Sequence, residues 1–426
     1  MVFGFGGLFL LLRLLSRDQF GVWVLFTTIA AFVEVGRMGL LQNALVRDLS
    51  SQDKSEHPTI NTASLALSGG LSVLSAVLLM AFSGPISQHW HVPQLAALLR
   101  VYAFTTLLLT PLYQFNFIQM ANLDYRGIFF ANFVRQGLFF GFVVYLYATS
   151  QGTTDADILT KMAWVQLIAA VPAATIAWWF VRKYLVFSRQ VSSRWFFRLL
   201  NFGKFNLGTN LSTMSFKSVD KWMLESLLHS PAIVGSYELA VRITNLVEAP
   251  VNALAVIFFP QSARRMAEEG VGAIRQLYEK SVGVLLSMII PFMVGVWVMA
   301  PWIVTLIGSE KYADTAPILR LTVLFGLFVP FAVQFGTVLD SIGKPNVNFW
   351  YTTLGAGLNL ICNYFFISKF GILGAAYGTL AAFSVMFVIM QIVLYRTIGS
   401  KPWRVFGHIL PFYRDMWRMV SQKLGI

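Results

Sequence analysis

Long apolar runs separated by short polar ones make up the hydrophobic pattern of the chain. Runs near 20–36, 60–82, 95–118, 128–148, 158–181, 203–228, 234–260, 281–307, 317–340, 346–367 and 371–396 each approach the roughly 20 residues a helix needs to cross a bilayer. A shorter run covers 1–15. The pattern predicts an all-α polytopic membrane protein of about twelve transmembrane helices with short connections. Twelve residues precede Arg13, a reach of about 18 Å at 1.5 Å per residue. The first helix is therefore expected to be truncated, lacking roughly ten upstream residues.

Composition agrees. The chain has 426 residues, 57% hydrophobic and only 12% charged, where soluble proteins carry about 25% charged residues. A single cysteine, Cys362, excludes an intrachain disulfide framework and a cysteine metal cluster. The five histidines lack metal-ligand spacing, and His89 and His91 have no acidic neighbour, so they read as solvated. No metal and no cofactor is expected.

The net charge of +13 acquires a meaning once its residues are placed. Loops expected on one side hold Arg37, Arg47 and Lys54; Arg126; Arg182, Lys183, Arg189, Arg194 and Arg198; Arg264, Arg265, Arg275 and Lys280; and Lys344. The tail adds Arg396, Lys401, Arg404, Arg414, Arg418 and Lys423. The alternate loops hold only Arg13, Arg17, Lys161, Lys311 and Lys369. This asymmetry is a positive-inside signal, which places both termini in the cytoplasm and makes the basic charge topological and lipid-facing. A nucleic-acid partner is not expected.

An internal repeat divides the chain. "FGVWVLFTTIAAFVE" (20–34) parallels "VGSYELAVRITNLVE" (234–248), with Gly21 on Gly235, Trp23 on Tyr237, Leu25 on Leu239, Ile29 on Ile243 and Glu34 on Glu248. Asp124 similarly meets Asp340. The expected organisation is an N-terminal six-helix lobe (1–181), a basic amphipathic linker (182–202), a C-terminal six-helix lobe (203–396) and a basic amphipathic tail (397–426). Two halves with six helices each face the same way, as in transporters whose lobes rock about a central site.

Polar positions inside the runs supply the candidate chemistry. At 100° per residue Asn206, Asn210, Thr213, Lys217, Asp220 and Lys221 share one stripe. A lysine facing lipid at the bilayer centre costs about 2.5–3.5 kcal/mol, so the stripe is expected to face a wet cavity. Glu238, Arg242, Asn245, Glu248 and Asn252 share a second face, and Asn359 and Asn363 lie on a third. Glu34, Arg100 and Arg135 are sparser counterparts in the first half. The bland alternative is helix-pinning ion pairs, Lys217 with Asp220 or Glu238 with Arg242. Lys217, Lys221, Arg242, Arg100 and Arg135 outnumber their acidic partners, which suits an anionic substrate such as a diphosphate. Asp220, Glu248, Glu34 and Glu238 are candidates for charge pairing or for a coupling H⁺ or Na⁺.

Several stretches look like the polysaccharide-transporter (Wzx-like) branch of the MOP flippase superfamily. These are "RLLSRDQFGVW" (13–23), "GLLQNALVRDLS" (39–50), "SVDKWMLESLLHSPAIVGSYELAVRI" (218–243), "FFPQSAR" (258–264), "PWIVTLIGSEKYADTAPILRLTVL" (301–324) and "LDSIGKPNVNF" (339–349). The resemblance implies two six-helix lobes about a central cavity, and export of an undecaprenyl-diphosphate-linked oligosaccharide across the cell (inner) membrane by alternating access. Products of such a route are surface polysaccharides such as lipopolysaccharide O-antigen or exopolysaccharide. It also implies that Asp220, Lys221 and Arg242 act on the diphosphate or on coupling ions. Two competing expectations remain open. An ion-coupled multidrug exporter calls for a net acidic cavity, and a membrane-embedded polysaccharide polymerase calls for a large outer loop, whereas loops such as 149–157 are short. The tail reads as an interfacial helix, with docking to a polymerase or other biosynthetic partner as the sharper alternative.

Overall fold

The structure, a computed structural model, describes residues 2–149, 157–255, 258, 262 and 270–424. Most of "FFPQSAR", Arg264, Arg265 and most of loop 149–157 lie outside the described residues. By packing, the chain divides into two compact units, Met1–Gly235 and Ser236–Ile426. Eight helical stretches among the described residues are long and apolar enough to cross a membrane. Such spans are helical because hydrocarbon offers the backbone no hydrogen-bond partner.

The first unit contains α1 (Val2–Leu14), α2 (Arg17–Ser51), α3 (His57–His89), α4 (Pro93–Ala121), α5 (Arg126–Thr149), α6 (Ile158–Val181) and α7 (Ser193–Leu228). Helix α2 starts where the sequence carries Ser16-x-x-Gln19. The Ser16 hydroxyl accepts from the Gln19 N–H and the Gln19 side chain accepts from the Ser16 N–H, each at 3.1 Å, which closes a capping box. The expected end of this span near residue 36 is corrected: α2 continues to Ser51. No proline or turn interrupts it, and Leu40, Leu41, Ala44, Leu45 and Leu49 keep a buried face toward Ile60, Ala63 and Leu67 of α3 and Phe117 of α4. Its 35 residues reach about 52 Å, so Arg37 lies mid-helix and not in a loop. Helix α1 has 13 residues and packs on α5 through Phe3 against Phe133 and Phe140.

Helices α2 and α7 run antiparallel along a seam of small residues. A Cβ built on Gly203 of α7 would lie 1.9 Å from the Leu40 carbonyl oxygen, and one on Gly39 of α2 would lie 2.8 Å from the Asn210 amide. Farther along, Phe32 meets Trp222 edge-on with ring centres 5.3 Å apart. At the far end a Cβ on Gly21 would collide with the Pro231 carbonyl at 1.7 Å. Small side chains let membrane helices approach closely enough for dispersion to act.

The stretch before α7 is strapped to this unit. After a 3₁₀ turn at Arg182–Tyr184, the Asn61 amide donates to the Val186 carbonyl and the Ser188 N–H donates to the Thr62 hydroxyl. The buried Asp48 carboxylate takes Arg47 and Arg198, and Trp195 Nε1 donates to Glu56 at 2.8 Å. Packing therefore carries the first unit past the linker, through α7, to Gly235. The repeat boundary at 182–202 is a separate proposal about ancestry and symmetry.

Helix α8 (Pro231–Thr244) leads into the second unit, followed by a 3₁₀ turn at Asn245–Val247 and helix again over 248–255. Pro250 accounts for the tightening, since its ring clashes with the carbonyl four residues back. The remaining helices are α9 (Val271–Val298), α10 (Ala300–Gly308), α11 (Ala316–Thr322), α12 (Val329–Ser341), α13 (Pro345–Phe370), α14 (Ile372–Ile398), α15 (Pro402–Phe406) and α16 (Ile409–Leu424). The single run expected at 317–340 is broken by a 3₁₀ segment at Val323–Leu327 ahead of Pro330. Helix α9 is central: Ile274, Tyr278, Val282 and Leu286 meet Phe335 and Leu339 of α12 and Leu394 and Ile398 of α14. The tail folds back on α9. Ser400 and the Lys401 N–H donate to Glu279, Tyr413 donates to the Ser287 carbonyl, and a Cβ on Gly283 would lie 2.7 Å from the Val405 carbonyl. The other face of the tail leaves Leu410 and Trp417 exposed.

Gly203→Ala is expected to lower stability by about 1–3 kcal/mol through overpacking at a backbone contact. Gly141→Ala, whose new methyl would meet nothing within 4 Å among the described residues, is expected to be neutral or slightly stabilising. Thermal unfolding of the two purified variants in detergent checks the pair.

Candidate functional site

The first unit holds a partly buried polar network built from α2, α4 and α5. Glu34, one turn before Arg37 on α2, accepts from the Tyr102 hydroxyl at 3.0 Å and from the Tyr113 hydroxyl through its other oxygen. Arg135 of α5 reaches the Tyr113 oxygen at 3.5 Å. Beside this cluster the buried Arg37 donates through Nη2 to Thr110 at 3.0 Å, and Thr110 donates to Ser72 of α3 at 2.6 Å. Arg37 Nε and Nη1 are buried with no hydrogen-bond partner among the described residues. Glu34 and Arg135, read from the sequence as sparser counterparts of the polar stripes, are joined through Tyr113, and Tyr102 adds a second donor to Glu34; the apolar surroundings of both tyrosines conceal them in the sequence. Arg100 is not part of the network. It is exposed near the start of α4 and approaches the Ser83 hydroxyl at 3.3 Å.

The stripe expected on α7 is resolved into two parts. Asn210, Thr213 and Lys217 are exposed and Asn206 is half-buried, whereas Asp220 and Lys221 are buried at 5% and 9% exposure. The Asp220 carboxylate accepts from the Lys221 N–H at 2.9 Å. Lys217, four residues before Lys221, carries its charge on the open face.

In the second unit Arg242 and Glu238 form an i,i+4 ion pair at 2.7 Å, with Glu238 buried and the Arg242 side chain 45% exposed. Asn245 and Asn252 continue the exposed face while Glu248 is half-buried. These residues straddle the 3₁₀ turn, so the polar face sits where the helix changes pitch. Asn359 and Asn363 have another role. Both are fully buried, Asn363 donates to the Asn359 side chain at 2.8 Å, and Thr379 of α14 donates to it at 3.3 Å. Glycines make this possible, because a Cβ on Gly378 would lie 2.9 Å from Asn363 Cα. The two asparagines fasten α13 to α14 and line no open face. Among the described residues no group of three or more His, Cys, Asp or Glu is arranged to hold a metal ion.

Residues 10–317 match the model of the family described as "Polysaccharide biosynthesis protein". The chain belongs to that family. The amylovoran biosynthesis protein AmsL of Erwinia amylovora is 24% identical over 292 residues, which cover 67% of this chain and 72% of that protein. A Haloferax volcanii protein named "Probable low-salt glycan biosynthesis flippase Agl15" is 24% identical over 187 residues, or 44% and 39% of the two chains. The chain thus spans about two fifths of the length of this second relative. Among solved structures, the lipid II flippase MurJ in an inward closed conformation aligns with a TM-score of 0.76 and 13% identity, covering 99% and 90% of the two chains. A multidrug resistance MATE family transporter of the MOP superfamily gives 0.76 and 16%, covering 93% and 94%. The family member described here is therefore an all-helical, multi-pass membrane protein with a MATE/MurJ-like fold.

Between α4 and α5, Asp124 gathers Arg126 at 3.0 Å and Lys183 at 2.8 Å. Hydrogen bonds from Arg126 first, then from Lys183, hold its carboxyl well below the usual carboxylate range. A depressed carboxyl stabilises the fold at pH above its unfolded value, about 4, and that contribution disappears as pH falls toward the folded value. Both cations are more than half exposed, so screening keeps the effect modest. Below about pH 4 the wild-type melting temperature should fall more steeply than that of Asp124→Asn. In the network around Glu34, Glu34→Leu removes the acceptor of two tyrosines and should cost about 1–3 kcal/mol. Tyr102→Phe, which leaves Glu34 its second donor, should cost less; thermal unfolding compares the two.

Proposed function

We propose that this protein is a flippase that moves a lipid-linked oligosaccharide across the cytoplasmic membrane by alternating access, for surface polysaccharide biosynthesis. The lipid carrier in this reading is undecaprenyl diphosphate, both termini are cytoplasmic and the tail lies on the inner leaflet. The observation that carries the reading is that the cations Lys217 and Arg242 are each exposed on a helix, α7 and α8, that the hydrophobic pattern reads as crossing the membrane. A lysine or arginine turned into lipid would cost about 2.5–3.5 kcal/mol, whereas one facing a phosphate gains charge-assisted hydrogen bonds. The relatives named for amylovoran biosynthesis and for a glycan flippase support the same substrate class.

In this mechanism Lys217, Arg242, Arg100 and Arg135 attract the diphosphate, and Lys221, buried beside Asp220, tunes the charge of α7. Asn206, Asn210, Asn245 and Asn252 offer hydrogen bonds to the glycan. Glu34, Asp220, Glu238 and Glu248 balance the cations and supply the acids for a coupling H⁺ or Na⁺. A fixed field of donors suits an anionic headgroup that must be bound and then released.

Lys217→Ala and Arg242→Ala should each abolish glycan export in cells while the protein stays inserted at normal levels. Surface polysaccharide at wild-type amounts in both variants would overturn the assignment. Cysteines placed at Asn210 and Asn252 should react with a membrane-impermeant thiol reagent, and those at Leu211 and Leu254 should not. Equal labelling at all four positions would remove the wet face from the mechanism.

A further inference from the structure

Helices α3 and α7 both run from the basic linker end of the first unit to its opposite end, where a histidine lies one or two residues beyond the end of each. His91 follows α3 with φ 56° and His229 caps α7 with φ 46°. Left-handed backbone is unfavourable for a side chain larger than that of glycine or asparagine, so both positions hold strain to present an imidazole there. The two rings meet with centres 5.1 Å apart and planes at 83°, and both residues are exposed. Their backbones are fixed from several directions. Trp90 Nε1 donates to Ser226 of α7 at 2.8 Å, Ser87 donates to the Val92 carbonyl at 2.8 Å, and the His229 N–H returns to the Glu225 carbonyl at 2.9 Å.

We propose that His91 and His229 form a labile site for a borderline transition-metal dication of the Zn²⁺ class, clasping the end of α3 to the end of α7. Two imidazoles bound to one tetrahedral Zn²⁺, with Zn–N of about 2.0–2.1 Å, place their ring centres roughly 5 Å apart. The observed separation therefore admits one ion with only ring rotation. Imidazole is a borderline base that selects Zn²⁺, Ni²⁺ or Cu²⁺ over Mg²⁺ or Ca²⁺. The helix C-termini on which both rings sit favour positive charge. With two protein nitrogens the remaining positions belong to water, so the ion exchanges readily and the clasp is reversible. Neither residue belongs to the charged faces assigned to transport, so the site stands or falls independently of the flippase reading.

The full chain purified in detergent should gain thermal stability on addition of ZnCl₂, saturably and reversibly with EDTA, and should show no gain with MgCl₂. The gain should vanish in His91→Asn and in His229→Asn, since asparagine tolerates the left-handed backbone. It should persist in His89→Asn, which changes an exposed neighbour. A wild type indifferent to ZnCl₂, or a gain that survives both variants, overturns the proposal. A second measurement needs no variant: electron paramagnetic resonance of the wild type loaded with one equivalent of Cu²⁺ should report two imidazole nitrogens on the ion. One nitrogen or none would equally overturn it.

Discussion

A polar side chain that enters hydrocarbon has to be met by another polar group or by water, because nothing in the lipid can solvate it. This requirement decides which helices become neighbours here. Glu34 draws Tyr102 and Tyr113 of α4 toward α2, Arg37 is held by Thr110, and Thr110 reaches Ser72 on α3. In the second unit Asn359, Asn363 and Thr379 join α13 to α14. The apolar surfaces fill the space between these fastenings, but apolar contact alone has little preference for one membrane helix over another. Polar pairing supplies register where hydrophobicity cannot.

The same requirement separates two kinds of charged residue. Asp220 and Glu238 are buried, with Asp220 taking a backbone N–H and Glu238 taking Arg242. Lys217, Asn210, Asn245 and Asn252 are left on open faces. A protein that only needed rigid packing would have little reason to keep the second kind, and it is on these residues that transport chemistry is proposed. Glycine has a complementary part. The α2–α7 seam brings backbones together at Gly203, and beyond its end Gly21 of α2 meets Pro231 at the start of α8, so α7 is held by a long, tight contact and not by a single pair.

Long apolar runs made the helices and the membrane class legible, since about twenty apolar residues have few other uses. Boundaries were less legible. Arg37 had the look of a loop residue because charge usually marks a span's end, yet α2 runs on to Ser51 and a threonine accepts the guanidinium. Tyr102 and Tyr113 drew no notice, because an aromatic residue within an apolar run has the appearance of packing. The Asn359 and Asn363 pair misled in the opposite direction: asparagines at helical spacing suggest an open polar face, but a partner helix carrying Gly374 and Gly378 came close enough to absorb them. Periodicity shows that residues share a side of a helix. It carries no information about what stands opposite.

The tail gives the fold a built-in coupling rod. Gly283 leaves no side chain between α9 and the backbone at Val405, and Glu279 and Ser287 grip the same segment from one turn before and one turn after. Three attachments along one helix tie the position of the tail to that of α9. An axial displacement or roll of α9 therefore either carries the tail along or breaks these attachments, and a tail that follows moves the exposed Leu410 and Trp417 of α16 with it.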